Sequence, residues 1–76
     1  MGEQITVKLF AILRRDYSVP DSIDLCSSRI IADIIGDIGI EEGKVTIIFV
    51  NGRHADVNEH VHPGDVLSLF PAIGGG

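Results

Sequence analysis

The sequence has little of what stabilises many small domains from outside their own core. It holds one cysteine, Cys26, so no disulfide can form within the chain, and it has no tryptophan. A single cysteine agrees with a reducing compartment, and we expect the protein in the cytoplasm. No apolar run is long enough to cross a bilayer, and the N-terminus lacks the basic and apolar segments of a secretory signal. We therefore expect a soluble protein without a membrane partner.

Positive charge is also scarce. Eleven acidic residues against six lysines and arginines give a formal net charge of −5. Such a chain repels phosphate backbones and has no basic stripe, so we expect no nucleic-acid partner. Acidic charge keeps a small domain in solution, and it also favours encounter with a basic protein cleft.

Metal-ligand spacing is missing as well. His54, His60 and His62 lie in turn-rich sequence, and none of them pairs with a second ligand at helical i, i+4 spacing. We interpret them as solvated loop residues and predict no metal site. Cys26 has no recognisable base partner and is interpreted as a small buried or half-buried residue.

Aliphatic residues are what the sequence has in abundance. Isoleucine, leucine and valine account for 24 of the 76 residues. That density allows one close-packed core without metal or disulfide support, and a chain of this length has no room for a second core. We predict a single domain over residues 1–76, with a flexible C-terminal glycine tail over residues 71–76.

Alternating apolar residues predict the strands. Ile5, Val7 and Leu9 share one face of a first strand over residues 5–10. Residues 11–20 break the pattern and are interpreted as a long connection. Asn51-Gly52 is the dipeptide that most readily forms a type I′ turn, which predicts a hairpin around it. Further strands are predicted over residues 22–26, 46–50, 53–56 and 66–70.

One helix is predicted between the second and third strands. Its apolar residues recur at i, i+3, i+4 and i+7, which gives a single stripe facing the core. Ser27 or Ser28 is predicted to cap its start and Gly39 to end it. One helix with four or five strands favours an α+β fold, in which a mixed sheet packs on the helix with the first and last strands parallel at its centre. The stripe consists of Ile31, Ile34, Ile35 and Ile38.

Six segments of the sequence carry a family resemblance: Val7-Lys8-Leu9-Phe10-Ala11, Ala32-Asp33-Ile34-Ile35, Ile38-Gly39-Ile40, Phe49-Val50-Asn51-Gly52, Pro63-Gly64-Asp65-Val66 and Leu69-Phe70-Pro71-Ala72-Ile73-Gly74-Gly75-Gly76. In these segments the chain resembles the ubiquitin-like β-grasp sulfur carriers, the family of the molybdopterin synthase small subunit (MoaD) and the thiamin-pathway carrier (ThiS). The ending is the most specific of them, because Phe-Pro followed by a terminal Gly pair is similar to molybdopterin-type members. Ala72 stands where many members have a second proline.

The resemblance implies a carrier whose reacting group is the carboxylate of Gly76. An adenylating enzyme of the ubiquitin-activating type would activate it with ATP, and sulfur would then leave a thiocarboxylate on Gly76. Gly74 and Gly75 would keep the tail narrow, and no cofactor would stay bound to the chain. A large synthase subunit would receive the sulfur for molybdenum cofactor biosynthesis. Because the chain has no acid, base or metal set, we interpret it as a carrier or small subunit rather than a stand-alone enzyme.

Other functions stay open at this point. The sulfur could serve another pathway, such as the synthesis of thiamin or cysteine. A ubiquitin-like modifier would use the same adenylated tail to form isopeptide bonds with lysines. A non-catalytic interaction domain would do neither.

The face of the sheet away from the helix is the predicted partner surface. Strand parity places Phe10, Ile48 and Phe70 on that face, beside Pro71 at the root of the tail. Exposed apolar groups of this size commonly mark interfaces. The alternative is that residues 11–20 fold over part of this surface, most plausibly over Phe10.

Overall fold

The computed structural model describes residues 3–25 and 28–71, which form a five-stranded mixed sheet, a separate two-stranded pair and two short helices. The predicted α+β class is confirmed. In chain order the elements are β1 (Gln4–Leu9), α1 (Ile12–Asp16), β2 (Ser22–Asp24), β3 (Arg29–Ile30), α2 (Ile31–Asp37), a 3₁₀ turn (Glu42–Lys44), β4 (Val45–Val50), β5 (Arg53–Ala55), β6 (His60–Val61) and β7 (Val66–Pro71).

The first and last strands lie side by side near the middle of the large sheet. The strand order is β2-β1-β7-β4-β5, with β1 and β7 parallel and the other pairs antiparallel. This arrangement confirms the prediction that the first and last strands lie parallel at the centre of the sheet. The β3–β6 pair was not predicted, because two residues per strand are too few to show an alternating pattern.

Aliphatic side chains of the sheet and of α2 form the core. Alternate residues of β1 and β7 point inward, and Leu67 and Leu69 are fully buried. The predicted helical stripe is confirmed, since three of its residues are buried and Ile38 is half-buried against the same cluster. Gly39 has a φ of 86°, so glycine ends the helix as predicted.

The start of α2 differs from the prediction. The helix begins directly after β3, with Ile30 as N-cap and no side-chain cap. Ser28 precedes β3, and Ser27 lies outside the described residues. The N–H of Ile31 instead donates to the carbonyl of Glu59 at 2.9 Å. A distant backbone carbonyl thus satisfies a donor that a serine was expected to satisfy.

Residues 11–20 contain a helix where a long connection was predicted. Leu13 of α1 is 1% exposed and belongs to the core. The five-residue helix is too short for a periodic pattern to reveal it. The connection does not cover Phe10, which is 37% exposed.

A β-bulge in β4 reverses which face its residues occupy. Val45 pairs with Pro71, whereas Ile47 pairs with Phe70, so two steps along β4 match one step along β7. Beyond this point Ile48 pairs with Leu69 and is 3% exposed. The prediction that Ile48 lies on the outer face is therefore wrong. Residues 47–50 of β4 are all apolar, so the sequence shows no alternation that could reveal the bulge.

Side-chain hydrogen bonds join two turns at one end of the sheet. Asn51 and Gly52 have φ of 54° and 80°, the signs that the predicted type I′ turn requires. The Asn51 amide donates to Asp65 Oδ1 at 3.0 Å, and the His62 N–H donates to Asp65 Oδ2 at 2.9 Å. The His62 hydrogen bond, followed by that of Asn51, lowers the pKa of the Asp65 carboxyl below its ordinary value.

This lowered pKa predicts acid sensitivity. Ionised Asp65 stabilises the fold at pH values above its unfolded-state pKa of about 3.9, and the contribution is lost as the pH falls through the lower folded-state pKa. We expect Asp65→Asn to lower the unfolding temperature at pH 7 and to flatten its pH dependence below about pH 4. Thermal melts from pH 2 to 7 would measure both effects. A mutant profile parallel to that of the wild type would contradict this assignment.

Candidate functional site

Three phenylalanines and a histidine form a row of rings on the outer face of the sheet. The rings of Phe10 and Phe70 stack with centroids 4.3 Å apart and planes 8° apart. Phe49 meets Phe70 edge-on at 5.6 Å, and His54 meets Phe49 edge-on at 5.7 Å. We call these four residues the aromatic row. Stacked and edge-on pairs each contribute about 0.5–1.5 kcal/mol beyond the area they bury.

Strand pairing brings these rings together. The N–H of Phe10 donates to the carbonyl of Leu69 at 3.2 Å, which carries the β1–β7 pairing one residue beyond β1 and places Phe10 next to Phe70. Phe49 lies opposite His54 across the β4–β5 hairpin. Residues directly opposite in antiparallel strands share a face, so the hairpin puts both rings on the outer side.

The structure confirms that Phe10 and Phe70 lie on the outer face. The third apolar residue on that face is Phe49 and not Ile48, which was predicted there. His54 lies in β5, not in the solvated loop that its sequence context suggested. A two-residue turn at Asn51-Gly52 fixes which residues face each other across the hairpin. That register could have paired Phe49 with His54 from the sequence.

Pro71 belongs to the sheet and not to the tail. It is the last residue of β7, pairs with Val45 and is buried. The predicted tail over residues 71–76 therefore starts one residue too early, and the Pro71 side chain is not part of the exposed surface. Gly74, Gly75 and Gly76 lie outside the described residues.

Two open grooves lie near these residues, one beside Phe10 of the aromatic row and one beside Pro71 at the end of β7. One has a volume of about 420 Å³ and brings Lys8 and Arg14 beside Phe10. The other, of about 140 Å³, is lined by Ile12 and Pro71 among others. Asp21 also lines the groove beside Phe10, so its three charged residues leave one net positive charge beside the row.

Within residues 3–25 and 28–71, no three histidine, cysteine, aspartate or glutamate side chains lie together as a metal site would require. His60 is exposed in β6, and His62 Nδ1 lies 3.9 Å from Asp65 Oδ2. In the same part of the chain, no helix is long and apolar enough to cross a membrane.

Comparison with known proteins bears on the whole chain. The model of the ThiS family matches residues 7–76. A solved structure, a putative molybdopterin converting factor subunit 1 from Pyrococcus furiosus, shares 30% sequence identity over 92% of this chain and 98% of that chain, with a TM-score of 0.71. No curated protein matches.

The family match runs from β1 to the last glycine, and the structural match covers nearly all of both chains. The family match spans most of the central β1–β7 pair and the helix packed on it. The fold is therefore the ubiquitin-like β-grasp, and the chain belongs to the ThiS family of sulfur carriers.

Proposed function

We propose that the chain carries sulfur as a thiocarboxylate on Gly76 and delivers it to molybdopterin synthesis. The observation that supports this most directly is that β7 ends at Pro71 beside the aromatic row, while the family match continues to residue 76. Pro71, the last residue of β7, thus precedes the proposed reacting group by five residues. The solved relative, named a molybdopterin converting factor subunit, favours that pathway over thiamin or cysteine synthesis.

The proposed chemistry needs an activating partner. A glycine carboxylate is ionised at neutral pH and is a poor electrophile. A partner enzyme would transfer AMP from ATP to the carboxylate and release pyrophosphate. Hydrosulfide would then attack the carbonyl carbon of the acyl adenylate and expel AMP, and loss of the sulfur-bound proton would leave the thiocarboxylate. The partner supplies ATP binding and acid–base groups, so the chain itself needs no bound cofactor.

The tail is suited to a narrow channel. The five residues from Ala72 to Gly76 span at most roughly 17 Å when extended. Three consecutive glycines have no side chains to clash with channel walls and leave the backbone free to adapt. The reacting carboxylate can therefore enter an enclosed site while the β-grasp domain stays outside.

We infer that the aromatic row docks on the large subunit of the synthase. The name of the solved relative, subunit 1, belongs to an assembly with more than one subunit. Partly exposed rings next to the strand that leads into the tail are suitable anchors, because aromatic residues dominate many interface energies. Lys8 and Arg14 beside Phe10 would favour acidic groups on that partner.

The carrier role can be tested on protein isolated from its own cells. A fraction of the chains should show the mass change of replacing one oxygen by sulfur, and the change should map to Gly76. A ladder of larger conjugates on a blot, without that mass change, would instead indicate a protein modifier.

Changes at the last two glycines should abolish activation while leaving the fold intact. Deletion of Gly76, or addition of one residue after it, misplaces the carboxylate. Gly75→Val widens the tail and restricts its backbone. We expect loss of ATP–pyrophosphate exchange with the cognate activating enzyme and unchanged circular dichroism. Undiminished exchange by the chain lacking Gly76 would refute the carrier proposal.

Substitutions of two neighbouring residues of β7 test subunit docking and folding stability separately. Phe70→Ala should weaken binding to the large subunit by at least about 1–2 kcal/mol, as for an interface anchor. Leu69→Ala removes a fully buried side chain and should cost about 2–5 kcal/mol of folding free energy. Titration calorimetry and denaturant melts on both variants would measure these effects. If the Phe70→Ala variant is folded and binds the large subunit normally, the aromatic row is not part of the interface.

A further inference from the structure

Ile12 is the most exposed large apolar residue in the described part of the chain, with half of its surface in contact with solvent. It lies in α1 next to Leu13, which is buried in the core. A single exposed isoleucine is common on protein surfaces and needs no special explanation. Its surroundings give this one significance.

Ile12 lines a groove at the root of the tail. The groove has a volume of about 140 Å³ and lies between α1 and the 3₁₀ turn that precedes β4. Pro71 also lines it, so the groove adjoins the last residue of β7. Its charged lining residues, Asp16 and Lys44, have opposite signs, so neither sign of charge is favoured. The lining is therefore suited to an uncharged apolar group.

The backbone that presents Ile12 is strained. Ala11 has φ 55° and ψ −131°, a combination that is sparsely populated by residues with a Cβ atom. Hydrogen bonds hold it there, since Phe10 N–H donates to Leu69 O and Leu13 N–H donates to Phe10 O, each at 3.2 Å. Strained backbone of this kind clusters at functional sites. Here it places Phe10 against Phe70 and Ile12 beside Pro71.

We propose that this groove is a second docking surface, which receives one apolar side chain from the mouth of the channel in the large subunit. The proposal rests on the proposed function. With at most roughly 17 Å of tail beyond Pro71, a subunit that encloses Gly76 must press its channel mouth against the end of β7. The aromatic row reaches that end at Phe70 on the outer face, and the groove reaches it through exposed Ile12, beside the buried Pro71 on the opposite face. The partner thus holds the tail root from both sides.

The test compares three variants of α1. Ile12→Ser removes the apolar side chain and should weaken binding to the large subunit on the order of tenfold, as expected for an interface residue in a pocket. Ile12→Met keeps an apolar side chain and should bind nearly as well as the wild type. Arg15→Ala is the matched control, because Arg15 is exposed on the same helix and lines neither groove. Unfolding temperatures and pyrophosphate exchange should stay close to wild-type values in all three.

Each outcome has a distinct meaning. If the wild type does not bind the large subunit, the proposed function itself fails. If the wild type binds and Ile12→Ser binds equally well, only the groove is refuted. Equal weakening by Arg15→Ala, or lost pyrophosphate exchange with normal subunit binding, would also overturn the proposal. Methyl NMR of the wild type gives a readout without mutation, since the Ile12 methyl signals should shift on titration with the large subunit, and unmoved signals would refute the groove.

Discussion

The parallel pairing of β1 with β7 is the interaction on which the rest of the structure depends. It joins the two ends of the described chain and aligns Leu67 and Leu69 with Val7 and Leu9 on the inner face. The same register sets Phe10 beside Phe70 on the outer face. One ladder of backbone hydrogen bonds therefore positions both the core and the aromatic row, and a shift of one residue would exchange the two faces.

β7 contains core residues and ends shortly before the residues that would carry the proposed reacting group. Its inward residues are buried among aliphatic side chains of the core cluster, and Pro71 ends the strand in a buried position. These contacts lie in the described part of the chain, which ends at Pro71. In the proposed function, the reacting group lies five residues further along the chain, at Gly76, where it would enter the channel of a partner. The strained backbone at Ala11 lies between Phe10, which stacks on Phe70, and Ile12, which lines a groove together with Pro71.

Much of the architecture could be predicted because its signals are local. The alternation of Ile5, Val7 and Leu9 and the helical stripe around Ile34 and Ile35 follow directly from side-chain geometry. The positive φ angles of Asn51 and Gly52 follow from the low steric cost of those residues in a type I′ turn. The family resemblance rested on the same segments and on the glycine ending, and the family match extends across them.

The sequence by itself determined where the main strands lie along the chain, which residues of β1, β7 and α2 face inward, and that Phe10 and Phe70 face outward. Each of these features depends on periodicity within a few residues. Only the tertiary structure decided that Ile48 points inward and Phe49 outward, because the bulge in β4 arises from its pairing with β7. It also decided that the backbone carbonyl of Glu59, and not a serine side chain, accepts a hydrogen bond at the start of α2, and that Ile12 and Pro71 line the same groove. These features depend on contacts between segments distant in sequence, and no local pattern of side chains encodes them.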